Sequence, residues 1–455
     1  MTSITRRHFL LSSAALPLAI KASAQPSANN TIRVAVVGFN GRGRAHINAY
    51  LKMPNVEIAA LCDVDASVVE SGCKMIEGAG KKRPPTFSDY RKLLEDKTID
   101  AVSLATPNFH HTLQTIWAVQ AGKDVFVEKP CSYNMFEAQQ IIAASRRYNR
   151  IVQDGTGAQG WLHEAKKKLA DGLIGDVYMA RGLCYKWRDT IGKAKEEPVP
   201  PGVAYDLWTG PAPTKPFTRN RFHYNWHWQW DYGNGDIGNQ GVHEIDVARW
   251  GLGVKLPTRV HAAGGHFLFD DDQQTPNALM ATFEFPNPHG AADKKKILQF
   301  EVRGWITNAE DPFFMPKRAA SAPQNAGIGA GGYMSTSPEN VVGNLFFGSK
   351  GYMVKDVAEW RAYLGDRREP GPTGRGEANH YAAFVNAIRD ADPARFNANM
   401  DEAFYSCALI HLANISYRLG RSLDFDPETL TFRGDAEANR MLTREYRAPY
   451  VLPSS

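Results

Sequence analysis

Near the start of the chain, a predicted strand runs directly into a glycine-rich turn, and this feature restricts the possible folds more than any other. Residues 31–37 are rich in β-branched side chains, Gly38-Phe39-Asn40-Gly41-Arg42-Gly43 follows at once, and a helix is predicted from about Arg44. Such a turn lets backbone N–H groups and the positive end of the helix approach a pyrophosphate closely. The strict fingerprint has glycine where Asn40 stands, but asparagine tolerates the left-handed conformation better than other residues with a side chain. The turn predicts a dinucleotide site whose candidate contacts are Gly38, Asn40, Gly41, Arg42 and Gly43.

The pattern of a buried strand followed by a helix-like stretch recurs along the first third of the chain. Residues 56–61, 99–104 and 124–127 are further buried strands, which predicts repeated βα units and a parallel sheet. Asp63 follows the second strand, 25 residues after Gly38, where an acid can bind the adenosine ribose hydroxyls. A carboxylate there repels a 2′-phosphate, which favours NAD over NADP. The alternative role for Asp63 is a helix N-cap at the strand exit.

Two of these strands end in polar residues. One end is Ala105-Thr106-Pro107-Asn108-Phe109-His110-His111, and the other is Glu128-Lys129-Pro130. Both are predicted at the carboxyl edge of the sheet, where ligands of such folds bind, so Thr106 and Pro107 are candidate cofactor contacts. A third motif, Gly241-Val242-His243-Glu244-Ile245-Asp246, lies later in the chain.

Together the glycine turn and these three motifs resemble the glucose–fructose oxidoreductase, inositol dehydrogenase and MocA-like family (Gfo/Idh/MocA), over essentially the whole mature chain. The resemblance implies an α/β fold: an N-terminal Rossmann domain with a doubly wound parallel sheet, then an α/β domain whose large, open, mixed sheet faces the nicotinamide. It implies that Lys129 lies at the active site, also beside the cofactor, and that His243 contributes to proton transfer at a sugar hydroxyl. It further implies that Asn108 and His111 line the nicotinamide side, that Glu128 contacts the cofactor, and that the open sheet face supports a homo-oligomer.

The chemistry of hydride transfer independently requires a base within reach of the hydroxyl proton. A lysine near a cationic nicotinamide has its ammonium form disfavoured, so Lys129 can serve; the alternative is an exposed lysine at a strand end. For His243 the alternative is a capping or packed histidine at a helix start. Simple dehydrogenases of the family commonly carry aspartate four residues before this histidine, whereas this chain has Asn239, which cannot relay a proton at neutral pH. Asp236, one turn or less away, is the candidate substitute.

Aromatic and polar side chains crowd residues 219–250, and three of the ten tryptophans fall within residues 226–230. Flat aromatic faces beside amides, carboxylates and histidines suit a pyranose, which offers C–H faces for stacking and hydroxyls for hydrogen bonds. For any single tryptophan, core packing is the alternative. The segment predicts sugar contacts at Trp226, His227 and Trp230, and the end of a predicted strand adds Tyr185, Lys186 and Arg188.

The remainder of the chain predicts a second domain. Residues 177–185, 258–269, 279–285 and 296–305 have the pattern of strands, 319–338 of a long surface loop, and 376–390 and 401–419 of helices. The predicted organisation is a signal segment at 1–24, a Rossmann domain at 31–152, and a substrate-binding domain at 153–455 whose last helices pack back on the first domain.

The first two dozen residues have the features of an export signal. Arg6 and Arg7 precede an apolar stretch at 9–20, and Ala22-Ser23-Ala24 supplies the small residues needed for cleavage. The pattern predicts a twin-arginine signal, and its alternative is an amphipathic first helix of the fold. The twin-arginine export machinery carries folded proteins, often with a cofactor bound. The mature protein is therefore predicted to begin near Gln25, in the periplasm or otherwise outside a bacterial cytoplasm.

Composition argues against several other classes of protein. The chain is 43% hydrophobic and 22% charged, as globular proteins are, and no apolar run reaches the roughly 20 residues of a membrane span. The formal charge of +5 falls to +2 without the signal, so no field concentrates nucleic acid or anionic membrane. The five cysteines show no CxxC or metal-ligand spacing, so we predict neither a disulfide framework nor a metal site.

Export limits the function, because no free nicotinamide pool outside the cytoplasm reoxidises a released cofactor. Three solutions remain open. The protein holds NAD tightly and oxidises one carbohydrate while reducing another; or it oxidises a sugar transiently, eliminates the glycosidic substituent, adds water and returns the hydride; or it only binds sugar or cofactor. The leading prediction is an NAD(P)-dependent oxidoreductase of a sugar or glycoside, and the alternative is an NAD-dependent glycoside hydrolase.

Overall fold

The computed structural model describes residues 31–156, 162–186, 188–287, 294–304, 341–356, 359–376, 379–391 and 400–452. The predicted signal at 1–24, the predicted loop at 319–338 and the last residue of the predicted strand at 296–305 lie outside the described residues. The five cysteines are buried and free. Across the described ranges, no helix has both the length and the apolar character that crossing a membrane requires.

A parallel sheet and five helices occupy residues 31–156. In chain order the elements are β1 (Ile32–Val37), α1 (Gly43–Leu51), β2 (Val56–Cys62), α2 (Ala66–Gly78), β3 (Thr86–Phe87), α3 (Tyr90–Leu94), β4 (Ala101–Leu104), α4 (Asn108–Gln120), β5 (Asp124–Val127), α5 (Met135–Arg147) and β6 (Val152–Asp154). The six strands lie in the order β3-β2-β1-β4-β5-β6, so the chain changes direction across the sheet between β1 and β4, where a ligand crevice is expected. This confirms the predicted Rossmann sheet.

A mixed sheet forms the second layer of the fold. The later elements are α6 (His163–Ala170), β7 (Val177–Tyr185), α7 (Tyr205–Thr209), a 3₁₀-helix (Asn225–Trp228), α8 (Gly235–Asn239), α9 (Gly241–Leu252), β8 (Arg259–Gly265), β9 (Ala278–Pro286), β10 (Lys295–Arg303), β11 (Val341–Gly348), β12 (Gly351–Lys355), β13 (Glu359–Leu364), β14 (Glu369–Arg375), α10 (His380–Asp390), α11 (Met400–Leu419), β15 (Leu423–Asp426), β16 (Thr431–Phe432) and α12 (Ala436–Arg440). Within the described residues the order is β14-β13-β12-β11-β7-β10-β9-β8-β15-β16, and only β7 and β10 pair in parallel. The predicted α/β class with a large mixed sheet is confirmed.

Helices α9 and α11 cover one face of the mixed sheet. Their apolar residues pack in one core with inward side chains of the strands, such as Phe300 and Phe346. Gly182 of β7 lets α9 approach closely, since a Cβ there would lie 3.0 Å from the Cβ of Glu244. The close packing fixes the first turn of α9, and with it His243, against the sheet.

Helices α10 and α11 also contact the parallel sheet. Phe384 and Val385 of α10 pack in one core with Val34 and Val36 of β1. At α11, Sγ of Cys407 lies 3.7 Å from Sγ of Cys131, which follows β5. The two sheets therefore share α11. Strand β6 extends the parallel sheet two residues past the predicted boundary at 152.

Candidate functional site

A cavity of about 910 Å³ lies between the carboxyl edge of the parallel sheet and the start of α9. Most of the predicted site residues line it, and they come from both domains. They are Gly38, Asn40, Gly41, Arg42, Asp63, Thr106, Pro107, His111, Glu128, Lys129, Arg188, Trp226, His227, Asn239 and His243.

The glycine turn forms one wall of the cavity. Gly38 has φ +74°, and a Cβ there would lie 2.8 Å from the backbone nitrogen of Thr106. A Cβ on Gly43 would lie 2.1 Å from the carbonyl oxygen of Gly38, so Gly43 closes the turn and does not line the cavity. Side chains are excluded from both positions, which leaves backbone and the start of α1 facing the space, as a pyrophosphate site requires.

Asp63 presents a carboxylate at the end of β2. Its Oδ2 accepts a hydrogen bond from the backbone N–H of Phe39 (3.0 Å), and its Oδ1 accepts one from that of Asp65 (3.1 Å). Burial raises the pKa of Asp63 to about 6. The helix-capping role belongs to Asp65, whose Oδ1 accepts from the N–H of Ser67 at the start of α2. Asp63 is therefore left facing the cavity, where a ribose hydroxyl would donate to it.

Glu128 is held rigidly under the glycine turn. Its Oε1 accepts from Arg42 Nε at 2.8 Å and lies 3.1 Å from Nε2 of His46. His46 is fixed in turn, because its Nδ1 lies 2.8 Å from the hydroxyl of Ser103. Burial alone would raise the pKa of Glu128, but Arg42 and His46 outweigh it and hold that pKa well below its usual range. The carboxylate stays charged and in one orientation.

Lys129 reaches across the cavity to the second domain. Its Nζ donates a hydrogen bond to the backbone carbonyl of Asn239 at 2.5 Å. Burial lowers the pKa of Lys129 to about 8, although Glu128 opposes the shift. A substantial fraction of this amine is therefore neutral near physiological pH and able to accept a proton.

His243 faces the cavity from the first turn of α9. Burial, reinforced by the nearby Lys129, holds the pKa of His243 well below its ordinary value. The imidazole is therefore neutral at pH 7, able to accept a hydrogen bond at one nitrogen and to donate one at the other.

Asn239 and Asp236 both lie beside Arg188 and contribute to its surroundings in different ways. The amide of Asn239 donates to the hydroxyl of Tyr224 (3.4 Å), which also accepts from Nη1 of Arg188 (3.2 Å). The carboxylate of Asp236 accepts two hydrogen bonds from Arg188, at 2.7 and 3.0 Å, and does not line the cavity. Although burial opposes it, Arg188 lowers the pKa of Asp236. The expectation that Asp236 substitutes for a catalytic aspartate is therefore corrected: Asp236 fixes Arg188.

A strap, residues 202–223, joins the second domain to the first beside the cavity. The N–H of Ala66 donates to the carbonyl of Gly202 (3.0 Å), and the N–H of Ala204 donates to that of Val64 (2.8 Å). At the other end, Nε2 of His223 lies 3.0 Å from Oδ2 of Asp65. The strap thus bridges directly to the loop that carries Asp63.

Family models match most of the chain. The Gfo/Idh/MocA oxidoreductase model with an NAD-binding Rossmann fold covers residues 32–156, and the model of the family's C-terminal alpha/beta domain covers residues 161–281 and 356–452. The chain belongs to the Gfo/Idh/MocA oxidoreductase family. The glycine turn and Asp63 are thereby parts of an NAD-binding domain.

Individual relatives cover less of the chain. A glycosyl hydrolase family 109 protein of Saccharopolyspora erythraea is 28% identical over 34% of this chain and 43% of its own length. An alpha-N-acetylgalactosaminidase of Shewanella oneidensis is 29% identical over 32% of this chain and 38% of its own length. The chain thus spans less than half the length of these curated relatives.

Among solved structures, the WlbA dehydrogenase of Bordetella pertussis, in complex with NADH and UDP-GlcNAcA, has a TM-score of 0.59. The match covers 87% of this chain and 99% of that one at 18% identity, which shows a common fold.

Three more predicted residues of this Gfo/Idh/MocA chain lie outside the cavity. Tyr185 is buried on the face of β7 opposite α9, where its hydroxyl donates to Glu301 (2.9 Å). Lys186, the next residue, lines the cavity instead. Asn108 does not line the cavity, and its side-chain amide donates a hydrogen bond to the side-chain oxygen of Asn234 (2.5 Å). Trp230 lies beneath Arg418, whose guanidinium carbon is 5.1 Å from the centre of the indole. Successive strand residues alternate between faces, which explains the error at Tyr185.

Sequence reasoning missed three residues that shape the site. Tyr224 and Trp228 both line the cavity and contact Arg188. The hydroxyl of Tyr224 accepts a hydrogen bond from Arg188, and the guanidinium carbon of Arg188 lies 5.2 Å from the ring centre of Trp228. His46 supports Glu128 and follows Arg42, the N-cap of α1, by four residues, so the spacing of these two basic residues was an available signal. Nothing in the sequence pattern distinguishes Tyr224 from its aromatic neighbours.

Proposed function

We propose that this protein is an NAD-dependent oxidoreductase that keeps its cofactor bound and acts on a hydroxyl of a sugar or glycoside. One observation carries the proposal: the glycine turn, Lys129 and His243 line the same cavity, so a nucleotide site and a proton-accepting amine share one space. Bound NAD would supply the hydride acceptor. NADP suits the site less well, because the Asp63 carboxylate repels a 2′-phosphate.

Lys129 is the proton acceptor of the proposed reaction. Its neutral form takes the proton of the substrate hydroxyl while the adjacent carbon loses hydride. The carbonyl of Asn239 holds Nζ in place, so the change from the family's aspartate to asparagine leaves the lysine anchored by backbone. Neutral His243 hydrogen-bonds a neighbouring hydroxyl and orients the ring.

The sugar would lie against the aromatic end of the cavity. Trp226 and His227 stack on each other with ring centres 3.6 Å apart, and both line the cavity. Burial lowers the pKa of His227 to about 3, so the stacked pair presents an uncharged surface. Such a surface suits the C–H face of a pyranose.

The strap provides a physical reason for a retained cofactor. Its backbone hydrogen bonds to the loop after β2 and the contact between His223 and Asp65 must break before that side of the crevice opens. We expect the variant His223→Ala to lose bound nucleotide faster during dialysis than the parent protein. The variant Arg219→Ala is the control, because its exposed side chain pairs with Glu197, away from the bridge. Equal loss from both variants and the parent would contradict a closing role.

Export through the twin-arginine route accompanies this proposal, and the product would be periplasmic or otherwise extracytoplasmic. Its support is the arginine pair, the apolar stretch and the small residues at 22–24. Cell fractionation tests it: the variant with Arg6→Lys and Arg7→Lys is expected to remain in the cytoplasm, whereas the parent is exported. A parent protein confined to the cytoplasm would refute the proposal.

The proposed activity is tested on the isolated protein. Heat denaturation is expected to release NAD in about one equivalent per chain, as mass spectrometry of the supernatant measures. Addition of an oxidisable sugar to the native protein is expected to produce reduced nicotinamide fluorescence, which a second, reducible sugar then removes. A protein that releases no nicotinamide nucleotide would be a binding protein.

A redox-assisted glycosidase is the second candidate, favoured by Asn239 and by the two glycosidase relatives. In that reaction the oxidised sugar loses its glycosidic substituent by elimination and then adds water. Release of phenol from an aryl glycoside without accumulation of NADH distinguishes it from the leading proposal.

We further propose that the protein forms a homo-oligomer through the face of the mixed sheet opposite α9 and α11. That face carries Met280, which is 62% exposed, and the stacked pair Tyr352 and Tyr363. Light scattering after gel filtration measures the mass, and the variant Met280→Glu is expected to shift it toward the monomer. A monomeric parent protein would refute this.

A further inference from the structure

A second cavity, of about 290 Å³, is lined in part by Asn234 and shares no lining residue with the first. The end of α11, the chain after α12 and the loop before α8 enclose it. Trp230, Asn414 and three arginines, Arg418, Arg440 and Arg444, are among the residues that line it.

Arg444 has an unused hydrogen-bonding edge. Its Nη1 donates to the carbonyl of Asp231 (3.0 Å), and its guanidinium carbon lies 4.2 Å from the ring centre of Tyr133. Its Nε and Nη2 are buried and, among the described residues, have no hydrogen-bond partner. These two nitrogens form the side of a guanidinium that grips a carboxylate with two parallel hydrogen bonds.

The acid closest to this edge does not use it. Oε1 of Glu137 is 3.8 Å from Nε of Arg444, too far for a hydrogen bond, and it accepts from the hydroxyl of Tyr446 at 3.2 Å. The other oxygen of Glu137 accepts from the N–H of Tyr133 (2.9 Å). The edge therefore has capacity for an external acceptor.

The charges around the cavity favour an anion. In the described part of the chain, Arg418 and Arg440 form no ion pair, and Arg418 lies over Trp230. Of the two acids in the lining, Asp231 pairs with Lys215 and Glu445 remains. Behind the lining, Glu137 forms a 3.8 Å ion pair with Arg444, so the three arginines face two carboxylates and an excess of positive charge remains.

The cavity also offers an acceptor and an aromatic face. Asn414 is 5% exposed, its Nδ2 donates to the carbonyl of Asn234 (3.0 Å), and its Oδ1 is buried with no partner among the described residues. An occupant that satisfies Oδ1 must carry an O–H or N–H donor. The indole of Trp230 supplies an apolar surface beside it.

We propose that this second cavity binds a small hydroxylated carboxylate, of the sugar-acid class, with its carboxylate on the Nε and Nη2 edge of Arg444 and a hydroxyl donating to Asn414. Asn234, which lines this cavity, accepts hydrogen bonds from the side-chain amides of Asn108 and Asn414. The proposal does not depend on the reaction proposed for the first cavity.

Isothermal titration of the intact protein with gluconate tests the site. Sorbitol, which has the hydroxyls without the carboxylate, and acetate, which has the carboxylate without the hydroxyls, are the matched ligands. We expect saturable binding of one gluconate per chain, at least about tenfold tighter than binding of either control, because a charge-assisted bidentate contact and a buried hydrogen bond are both required.

Variants distinguish the two cavities. Arg444→Lys keeps the charge but loses the paired donors, and we expect it to weaken gluconate binding about tenfold or more. The double variant Arg418→Gln and Arg440→Gln alters only exposed side chains, and we expect weaker binding with a smaller salt dependence. Arg433→Gln, a 60% exposed arginine outside the cavity, is the control and should bind as the parent does.

Three results would overturn the proposal. They are no binding of gluconate, equal affinity for gluconate and sorbitol, and unchanged gluconate affinity in both the lysine variant and the double variant. The last result would place the ligand elsewhere on the protein. Bound nucleotide and melting temperature, measured on every variant, identify any loss that comes from misfolding.

Discussion

The individual residues of the first cavity divide into groups that face the ligand space and groups that hold others in place. Lys129 and His243 face it, whereas His46 fixes Glu128 and Asp236 fixes Arg188. Mutation of the two groups should therefore have different kinetic effects.

Lys129→Ala is expected to lower the turnover rate by about 10²–10⁴-fold, the usual contribution of a positioned base. Because the pKa of Lys129 is lowered to about 8, the oxidation rate should rise as pH increases through about 8 and level off above it. Rate–pH profiles of both proteins measure this, with Lys74→Ala, a 72% exposed lysine, as the control. If the rate of the Lys129→Ala variant still rises through about pH 8, the titrating group responsible for that rise is not Lys129.

Asp63 makes cofactor retention depend on pH. Its pKa is raised to about 6, so below that pH the carboxylate is protonated and accepts hydrogen bonds from ribose hydroxyls less well. We expect nucleotide loss on dialysis to accelerate as pH falls through about 6, and Asp63→Asn to lose nucleotide quickly at every pH. Nucleotide content after dialysis measures both. Retention by the parent that does not vary between pH 5 and 7 would contradict the expectation.

The residues also show where sequence reasoning reaches its limit. Gly38, Asp63 and Lys129 were predictable because each stands at the carboxyl end of a strand in a parallel sheet. The carboxyl ends of neighbouring parallel strands lie along the same edge of the sheet, so residues at these ends are close in space. Tyr185 was placed wrongly because a strand pattern gives the alternation of faces but not which face meets the ligand. Trp230 and Asn108 were placed wrongly because only tertiary packing decides which side of a wall a side chain faces.

At the level of elements, β7 and α11 were predictable, whereas β11, eight residues long, and the two-residue strands β3 and β16 were not predicted. β7 and α11 match their predicted ranges closely, since nine and twenty residues show a clear pattern. β3 and β16, of two residues each, carry no periodicity and form because neighbouring strands offer them backbone partners.

The contact between α9 and β7 is the element-level feature that positions His243. Gly182→Val is expected to destabilise the protein by about 1–3 kcal/mol, because its side chain overlaps Glu244 and Phe300. It should also lower activity by displacing the first turn of α9. Denaturant unfolding and initial rates measure the two effects. Gly78→Ala is the control, since no atom lies within 4 Å of the added Cβ, and a Gly182→Val protein that behaves like it would exclude the close packing.

For the whole molecule, the two sheets are coupled through α11, which packs against both. The sequence predicts a domain boundary between residues 152 and 153. The two parts of the chain do not have independent cores, because α10, which follows this boundary, packs against β1.

Phe384→Ala tests this coupling. Phe384 is fully buried, and its truncation is expected to cost about 3–5 kcal/mol. Hydrogen exchange is expected to show faster opening of β10 as well as β1, although β1, unlike β10, shares an apolar core with Phe384. Loss of protection confined to β1 would mean that the domains unfold separately. Phe267→Ala, at a 71% exposed position, should change neither.

The strap has a consequence for how much product such a protein makes. If the bridge between residues 202–204 and 64–66 keeps each nucleotide captive, a single oxidisable sugar supplied alone is converted only in amounts equal to the number of protein molecules present. Sustained turnover then depends on a second molecule that takes the electrons back before the first product is replaced, so the rate would follow the supply of both partners and be indifferent to added coenzyme.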